Sequence, residues 1–160
     1  MYTDLWNHAL ALYARPGVEQ ACLALQASGA DVCLLLCGTW LQIRGVAASR
    51  ARVGALRELA APWQREVVAP LRHLRQQWRE AATSDPQLLA LREQVKGLEL
   101  QAEKALLERL QQRSQQWPAD AGERTEDWLA LLVPDQARSH DALVRLRVAA
   151  AGTQDAEDGA

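Results

Sequence analysis

Three cysteines and one histidine are the residues of this chain that could form a metal site. Cys33 and Cys37 lie one helical turn apart, so a helix would present both thiols on one face, with His8 or Cys22 as a third ligand. Both cysteines stand in a leucine-rich segment, where a buried cysteine behaves as a small apolar residue. We therefore expect these cysteines to pack in a core, and we predict neither a metal site nor a cofactor.

Glu99 and Glu103 are the second candidate for chemistry, because a one-turn spacing places two carboxylates on the same helical face. Such a pair suits acid/base catalysis or metal ligation. Di-iron helical bundles also require Glu-x-x-His pairs on other helices, and this sequence contains none. We expect the carboxylates to pair with arginines, with Arg72 and Glu99 as the preferred pair, and we predict no catalytic residue.

Asp31 has two interpretations that the sequence leaves open. It precedes the apolar segment that starts at Val32, and aspartate is a favoured N-cap of helices. In the alternative interpretation, its carboxylate faces a cavity beside Trp40. The candidate pocket or polar site lies between this third helix and a long helical hairpin, and its residues are Asp31, Trp40, Trp63, Arg72, Glu99 and Glu103.

Tryptophans supply the candidate interface residues. Trp117 and Trp128 stand at the end of a long helix and on a short one. There they would pack on each other or anchor another protein, since exposed aromatic residues often dominate protein interfaces. The other four tryptophans fall on apolar stripes and are expected in the core: Trp6, Trp40, Trp63 and Trp78.

The elements that position these residues are all helices. Apolar residues recur at spacings of three and four on both sides of the turn signal Ser84-Asp85-Pro86. The pattern predicts an all-α helical bundle with a long antiparallel helical hairpin of about residues 50–82 and 86–117. Whether Pro62 and Pro70 bend the first of these helices or divide it stays open. Folding the hairpin about its turn brings Gly97 near Arg72, and we expect the helices to approach most closely there.

The predicted organisation has three parts. Residues 1–117 form a helical domain, residues 118–150 carry short C-terminal helices that begin at Thr125, and residues 151–160 form a disordered tail. Within the domain, the segment Val32 to Arg44 is apolar in nearly every direction, which is typical of a central helix. We expect the first, second and fourth helices to surround it.

Composition limits the fold class and the partners. Leu and Ala supply 55 of the 160 residues, whereas Val and Ile supply 11, so helix formers predominate. The net charge is −2 with both signs interspersed, so no nucleic acid is expected as a partner. The longest apolar run is far shorter than the ~20 residues of a bilayer-crossing helix, so no membrane span is expected. The N-terminal residues do not resemble a secretion signal, which favours a cytoplasmic protein.

Several short segments together resemble an uncharacterised family of small gammaproteobacterial helical proteins, a domain of unknown function. They include Tyr13-Ala-Arg-Pro-Gly-Val18, Cys22-Leu-Ala-Leu-Gln26, Gly29-Ala-Asp-Val32, Trp40-Leu41, Pro62-Trp63, Pro70-Leu-Arg72 and Glu99-Leu-x-x-Glu103. The resemblance covers about residues 4–110. It implies a bacterial, helical, cytosolic protein, and it implies no activity. The family pattern has Asn where this chain has Cys33.

Two functional hypotheses follow from the sequence. The first is a protein-protein interaction or adaptor module, without enzymatic activity, that binds a protein partner or forms a homodimer through its hairpin. The reason is that a helix over residues 86–117 would extend about 48 Å at ~1.5 Å per residue, farther than a compact domain of this size. The alternative is a helical bundle, with or without catalytic activity, that binds a small molecule or lipid in the pocket between the third helix and the hairpin.

Overall fold

A computed structural model describes residues 4–119, 127–138 and 140–158, with side chains up to residue 152. The described residues form helices and no strand, which confirms the all-α prediction. The α-helices are α1 (Leu5–Tyr13), α2 (Val18–Ala27), α3 (Val32–Ile43), α4 (Arg50–Trp63), α5 (Ala69–Gln77), α6 (Pro86–Ser114), α7 (Trp128–Leu132) and α8 (Asp141–Asp158). A π-helical segment, Gln64–Val68, joins α4 to α5, and short 3₁₀ turns lie at Ala81–Thr83 and Asp135–Ala137. Among the described helices, none is long and apolar enough to span a bilayer.

Helix α3 lies at the centre of the core. Every residue from Cys33 to Leu41 is buried, as the apolar circumference of this segment predicts. The expected neighbours α1, α2 and α4 do pack on α3, but so do α6, α7 and α8. Helices from both the N-terminal and the C-terminal parts of the chain therefore pack on the central helix.

The C-terminal helices belong to the same hydrophobic core as residues 4–119. Leu132 of α7 approaches α3 so closely that a Cβ at Gly38 would lie 2.6 Å from its Cδ1 atom. Leu143 and Leu146 of α8 are also fully buried in this core. Helices α7 and α8 therefore supply apolar surface that α3 requires.

The predicted interface role of Trp128 is wrong, because this side chain is completely buried. Its indole N–H donates to the carbonyl oxygen of Val46 at 2.7 Å, which satisfies the polar atom in the core. Trp117 stacks on Trp128 with ring centroids 6.1 Å apart and an interplanar angle of 10°. The two tryptophans thus pack on each other, and only the half-buried Trp117 reaches the surface, where the guanidinium of Arg52 lies 5.4 Å from its ring centre.

The predicted boundaries at the C-terminus also change. Thr125, the expected start of the short helix, lies outside the described residues, and Asp127 caps α7 by accepting from the backbone N–H of Leu129. Helix α8 continues to Asp158, although disorder was predicted from residue 151. The reason is that extending an already anchored helix adds one hydrogen bond per residue, and the three alanines at residues 149–151 favour the helix where the extension begins.

The predicted turn of the hairpin is present. Asp85 accepts hydrogen bonds from the backbone N–H groups of Gln87 and Leu88, and Pro86 starts α6. Helix α6 ends at Ser114 rather than at 117. Before the turn, Pro62 lies inside α4 without dividing it.

Pro70 accounts for the π-helical segment. Proline has no N–H to donate and its ring crowds the carbonyl one turn earlier, so the helix widens before it. The N–H of Ala69 donates to the carbonyl of Gln64, five residues back, which is the π-helical pattern. The two prolines therefore leave one continuous helical path from α4 to α5.

The part of the hairpin farthest from the core is largely exposed. We call residues 69–98 the outer hairpin: α5 contains no buried residue, and the first buried residue of α6 is Glu99. The expected close approach at Gly97 is wrong, since a Cβ added there would meet nothing within 4 Å. Gly97 instead borders an open cleft between α2 and the hairpin.

Candidate functional site

A cavity of about 220 Å³ lies between α1, the loop that leads into α3, the π-helical segment and α6. Six of its lining residues carry polar side chains that converge from six different elements. They are Tyr13, Gln26, Asp31, Gln64, Arg72 and Glu103. The rest of the lining is apolar: Trp6, Ala9, Leu10, Ala30, Val32, Cys33, Leu36, Leu100 and Leu107. A mostly apolar cavity with a few convergent polar groups is the usual form of a small-molecule site.

Asp31 caps α3, as its first interpretation predicts, and it also lines a cavity, although Trp40 is not part of that lining. Its Oδ1 atom accepts a hydrogen bond from the backbone N–H of Leu34 at 3.3 Å, so it caps α3, and its side chain also lines the cavity. The same Oδ1 atom accepts from Gln64 Nε2 at 3.0 Å. Burial raises the pKa of Asp31, and these hydrogen bonds and the charge of Arg72 oppose the increase only in part.

The π-helical segment places Gln64 in the cavity. Gln64 is the first residue of that segment, and its amide lies against the cap of α3. Widened helical turns often occur at functional sites because they redirect a side chain without ending the helix. Pro70 widens the helical turn that precedes it, and this turn directs the Gln64 side chain into the cavity.

Arg72 is the centre of the polar network. Its Nε atom donates to Glu99 Oε1 and its Nη2 atom to Glu103 Oε1, each at 3.1 Å. With the Gln26 amide oriented so that its oxygen faces the guanidinium, that oxygen accepts from Arg72 Nε at 2.8 Å and Nη1 at 2.6 Å. The ion pair expected between Arg72 and Glu99 is therefore present, and it joins α2, α5 and α6.

The two glutamates of α6 have opposite pKa shifts. The Glu99 side chain is only 8% exposed and is held by both Arg72 and Arg75. Burial raises its pKa, but the hydrogen bonds and charges of the two arginines outweigh burial and lower it. Among the described residues, Glu103 receives a side-chain hydrogen bond from Arg72 only, and its burial, together with the charge of Glu99, raises its pKa. Glu103 therefore binds a proton more readily than Glu99 does.

An open cleft adjoins the cavity on the side of α2 and the outer hairpin. Five residues line both spaces: Tyr13, Gln26, Arg72, Leu100 and Glu103. The ion pair between Arg72 and Glu103 consequently forms part of the wall between cavity and cleft. With side chains 23% and 30% exposed, these two residues are the polar contact that a molecule entering from the cleft would meet.

The cysteines and His8 are core residues. All three thiols are buried and free, and burial raises the pKa of Cys33, which lines the cavity. His8 Nε2 lies 2.8 Å from Thr39 Oγ1, and the Thr39 hydroxyl donates to the Leu36 carbonyl. Within the described residues, no three His, Cys, Asp or Glu side chains are grouped so that they could hold a metal ion.

Residues 4–110 match the model of a family described as "Protein of unknown function (DUF2390)". The chain belongs to this family. All fifteen residues that line the cavity fall within the matched range, whereas α7 and α8 lie outside it. No curated protein and no solved structure matches the chain.

In this DUF2390 protein, Asp31, Arg72 and Glu103 line the cavity together, and Glu99 joins them through Arg72 while it faces the adjoining cleft. The predicted lining by Trp40 and Trp63 is wrong. Trp40 is buried elsewhere in the core, and Trp63 donates its indole N–H to the Ala102 carbonyl at 2.9 Å. An arginine guanidinium lies over each ring, that of Arg44 over Trp40 and that of Arg109 over Trp63.

Sequence reasoning missed four lining residues that carry much of the polarity or aromatic surface of the cavity: Trp6, Tyr13, Gln26 and Gln64. A signal for two of them exists in the sequence. Tyr13 begins one of the short segments that resemble the DUF2390 family, and Gln26 ends another. Gln64 offers no such signal, because its position in the cavity depends on the widened turn before Pro70.

Proposed function

We propose that this DUF2390 protein binds a small molecule in the cavity between α1, α3 and the hairpin. The observation that carries the proposal is the convergence of six polar side chains from six elements on one mainly apolar cavity. A cavity of about 150 Å³ accommodates benzene, so one of 220 Å³ suits a molecule of roughly ten non-hydrogen atoms. This function is the second of the two hypotheses that the sequence supports.

The energetics of the polar groups favour a ligand over simple core packing. Burial raises the pKa values of both Asp31 and Glu103, so the cavity holds carboxyl groups whose ionised forms are poorly solvated. Burying such groups destabilises a fold unless they gain partners. A bound molecule with complementary polar atoms would add partners to those that Asp31 and Glu103 already have, and its apolar part would contact Leu36 and Leu107.

A titration with small probes tests this function. We would follow the amide and methyl resonances of the protein while adding, separately, 2-phenylethylamine, 2-phenylethanol and phenylacetate, which have roughly the required size. At least one probe is expected to shift the resonances of cavity residues in a saturable manner. If none of the three does so, the proposed function is wrong.

A matched pair of variants locates the binding. Ala9→Leu adds three carbon atoms to a residue that lines the cavity, whereas Ala11→Leu makes the same change on the same helix outside the cavity. We expect Ala9→Leu to abolish probe binding and Ala11→Leu to preserve it. Equal loss in both variants, or in neither, would place the binding elsewhere.

A second candidate function rests on the outer hairpin. Leu91 and Leu98 of α6 lie seven residues apart and so share one helical face, and each is about half exposed. These side chains support the first sequence hypothesis in the form of a homodimer or an adaptor that pairs through α6. Burial of a leucine stabilises an interface by about 1.5–3 kcal/mol.

Light scattering coupled to size-exclusion chromatography tests the self-associating form of this role. A dimer would have a mass near twice the 17.7 kDa of one chain, and Leu91→Ser with Leu98→Ser would reduce it to 17.7 kDa. A mass of 17.7 kDa at every protein concentration would exclude the homodimer.

A further inference from the structure

We infer that the ligand of the cavity carries one positive charge, as a small amine with an apolar body does. This inference rests on the proposed small-molecule function and adds the chemical class of the ligand. Three observations carry it: the balance of charges in the network, the hydrogen-bonding capacity of the two carboxyl groups, and the prior engagement of Arg72.

The charges around the cavity do not balance. Among the charged side chains that line the cavity, Arg72 stands against the carboxyl groups of Asp31 and Glu103, so the lining has one negative charge in excess when all three are ionised. Arg75 pairs with Glu99, and both of these residues face the adjoining cleft. The two arginines pair with the two glutamates. In the described part of the chain, no lysine or arginine lies within ion-pairing distance of Asp31, which leaves this carboxylate as the unmatched charge.

The carboxyl groups also retain capacity for donors. An ionised carboxylate has about four acceptor sites. Asp31 accepts from the Leu34 backbone and the Gln64 amide, both on Oδ1, and also from the Cys33 backbone, whereas Glu103 uses one site for Arg72. An ammonium group has three N–H donors, so it could contact both carboxylates at the polar end of the cavity.

An anionic ligand fits this cavity less well. Arg72 already donates to Glu99, Glu103 and Gln26, so an anion would have to displace one of these partners. The N-terminus of α3, which would otherwise attract an anion, is already occupied by its own cap, Asp31. Both potential anion-binding groups are therefore engaged within the protein.

The three probes introduced above distinguish the charge of the ligand, because they share a phenyl ring and a two-carbon chain but carry an ammonium, a hydroxyl or a carboxylate group. We expect 2-phenylethylamine to bind roughly tenfold or more tightly than 2-phenylethanol, the range of a charge-assisted hydrogen bond. Phenylacetate is expected to bind most weakly.

Asp31→Asn tests the charge while preserving the fold, because asparagine caps helices as well as aspartate does. We expect this variant to lose the preference for the amine and to keep its affinity for the alcohol, which also reports that the cavity is intact. Glu103→Gln is expected to reduce the preference by a smaller factor. Asp85→Asn, which changes the cap of α6 far from the cavity, is the matched control and should leave all three affinities unchanged.

The outcomes separate the inference from the function on which it rests. Stronger binding of the alcohol or of phenylacetate would overturn the cationic ligand and leave the cavity as a binding site. An amine preference of undiminished size in Asp31→Asn would also overturn it, because the inference assigns the unmatched charge to Asp31. Failure of all three probes to bind would remove the proposed function itself.

Discussion

At the scale of single residues, Glu99 and Glu103 show how one helical turn separates two environments. Glu99 contacts two arginines in a nearly buried position, whereas Glu103 contacts one and is 30% exposed. Glu99→Gln is expected to lower the free energy of unfolding by roughly 2 kcal/mol, less than for a fully buried pair because the arginines can turn toward the cleft. Urea denaturation at neutral pH measures this change.

Glu103→Gln is the matched substitution. The fold already favours the neutral form of this carboxyl group, as its raised pKa indicates, so a neutral amide should cost less than roughly 0.5 kcal/mol. Equal losses in the two variants would show that the network does not distinguish the two glutamates.

His8 supplies a prediction about pH. Burial lowers its pKa from 6.5 to about 4, so the folded state excludes a proton that the unfolded chain accepts. The resulting stability is complete above pH 6.5 and is lost as the pH falls toward 4, by up to about 3 kcal/mol. His8→Gln should flatten the dependence of unfolding free energy on pH in this window.

The control for this measurement is His73→Gln, since His73 lies exposed on α5. Asp31 and Glu103 have raised pKa values, so their titration stabilises the fold as the pH falls, opposite to the effect of His8. Their contribution is the same in each variant and in the wild-type chain, so it cancels in the difference. An unchanged pH dependence in His8→Gln would contradict the burial of a neutral imidazole.

At the scale of elements, the contact between α3 and α7 depends on Gly38. Alanine favours a helix by about 1 kcal/mol over glycine. At Gly38, however, the new Cβ would lie 2.6 Å from Leu132 Cδ1 in a filled core, and overpacking of this kind costs about 1–3 kcal/mol. Gly38→Ala is therefore expected to destabilise the fold by roughly 1 kcal/mol, measured by thermal or urea unfolding.

Two other helical glycines serve as controls. A Cβ at Gly54 or Gly97 would meet nothing within 4 Å, so alanine should stabilise the chain at either position by up to about 1 kcal/mol. Stabilisation by Gly38→Ala of the same size would mean that α7 does not press on α3.

The helices of the hairpin could be predicted from local signals, whereas the cavity could not. Asp85 and Pro86 specify the start of α6 by cap chemistry alone, and the central position of α3 follows from its apolar circumference. The lining of the cavity depends on how separate helices dock. Trp63 shows the limit: its apolar stripe indicates burial but does not say which side of α6 receives the ring.

At the scale of the whole molecule, the C-terminal helices complete the core of the DUF2390 domain. A chain that ends at residue 118 would lose the buried side chains of Trp128, Leu132, Leu143 and Leu146. Each such loss removes about 2–5 kcal/mol, which together exceeds the stability of a typical domain. We expect this truncated chain to lose cooperative unfolding and its near-ultraviolet circular dichroism.

A second truncation after Gly152 keeps every described core residue and should unfold cooperatively. Cooperative unfolding of the chain that ends at residue 118, with an unchanged midpoint, would contradict a shared core. The sequence alone did not reveal this role, because α7 is only five residues long. The close packing of α7 on α3 depends on the absence of a side chain at Gly38, which belongs to a different helix.

The position of a bound probe shows whether the cavity between α1, α3 and α6 is the ligand site. In a sample with methyl-labelled leucines and saturating 2-phenylethylamine, nuclear Overhauser effects report which methyl groups lie near the phenyl ring. Binding in the cavity predicts effects to Leu36 and Leu107 and none to Leu89 or Leu91 of the outer hairpin. Effects confined to the outer hairpin, or none at saturation, would contradict a ligand site between α1, α3 and α6.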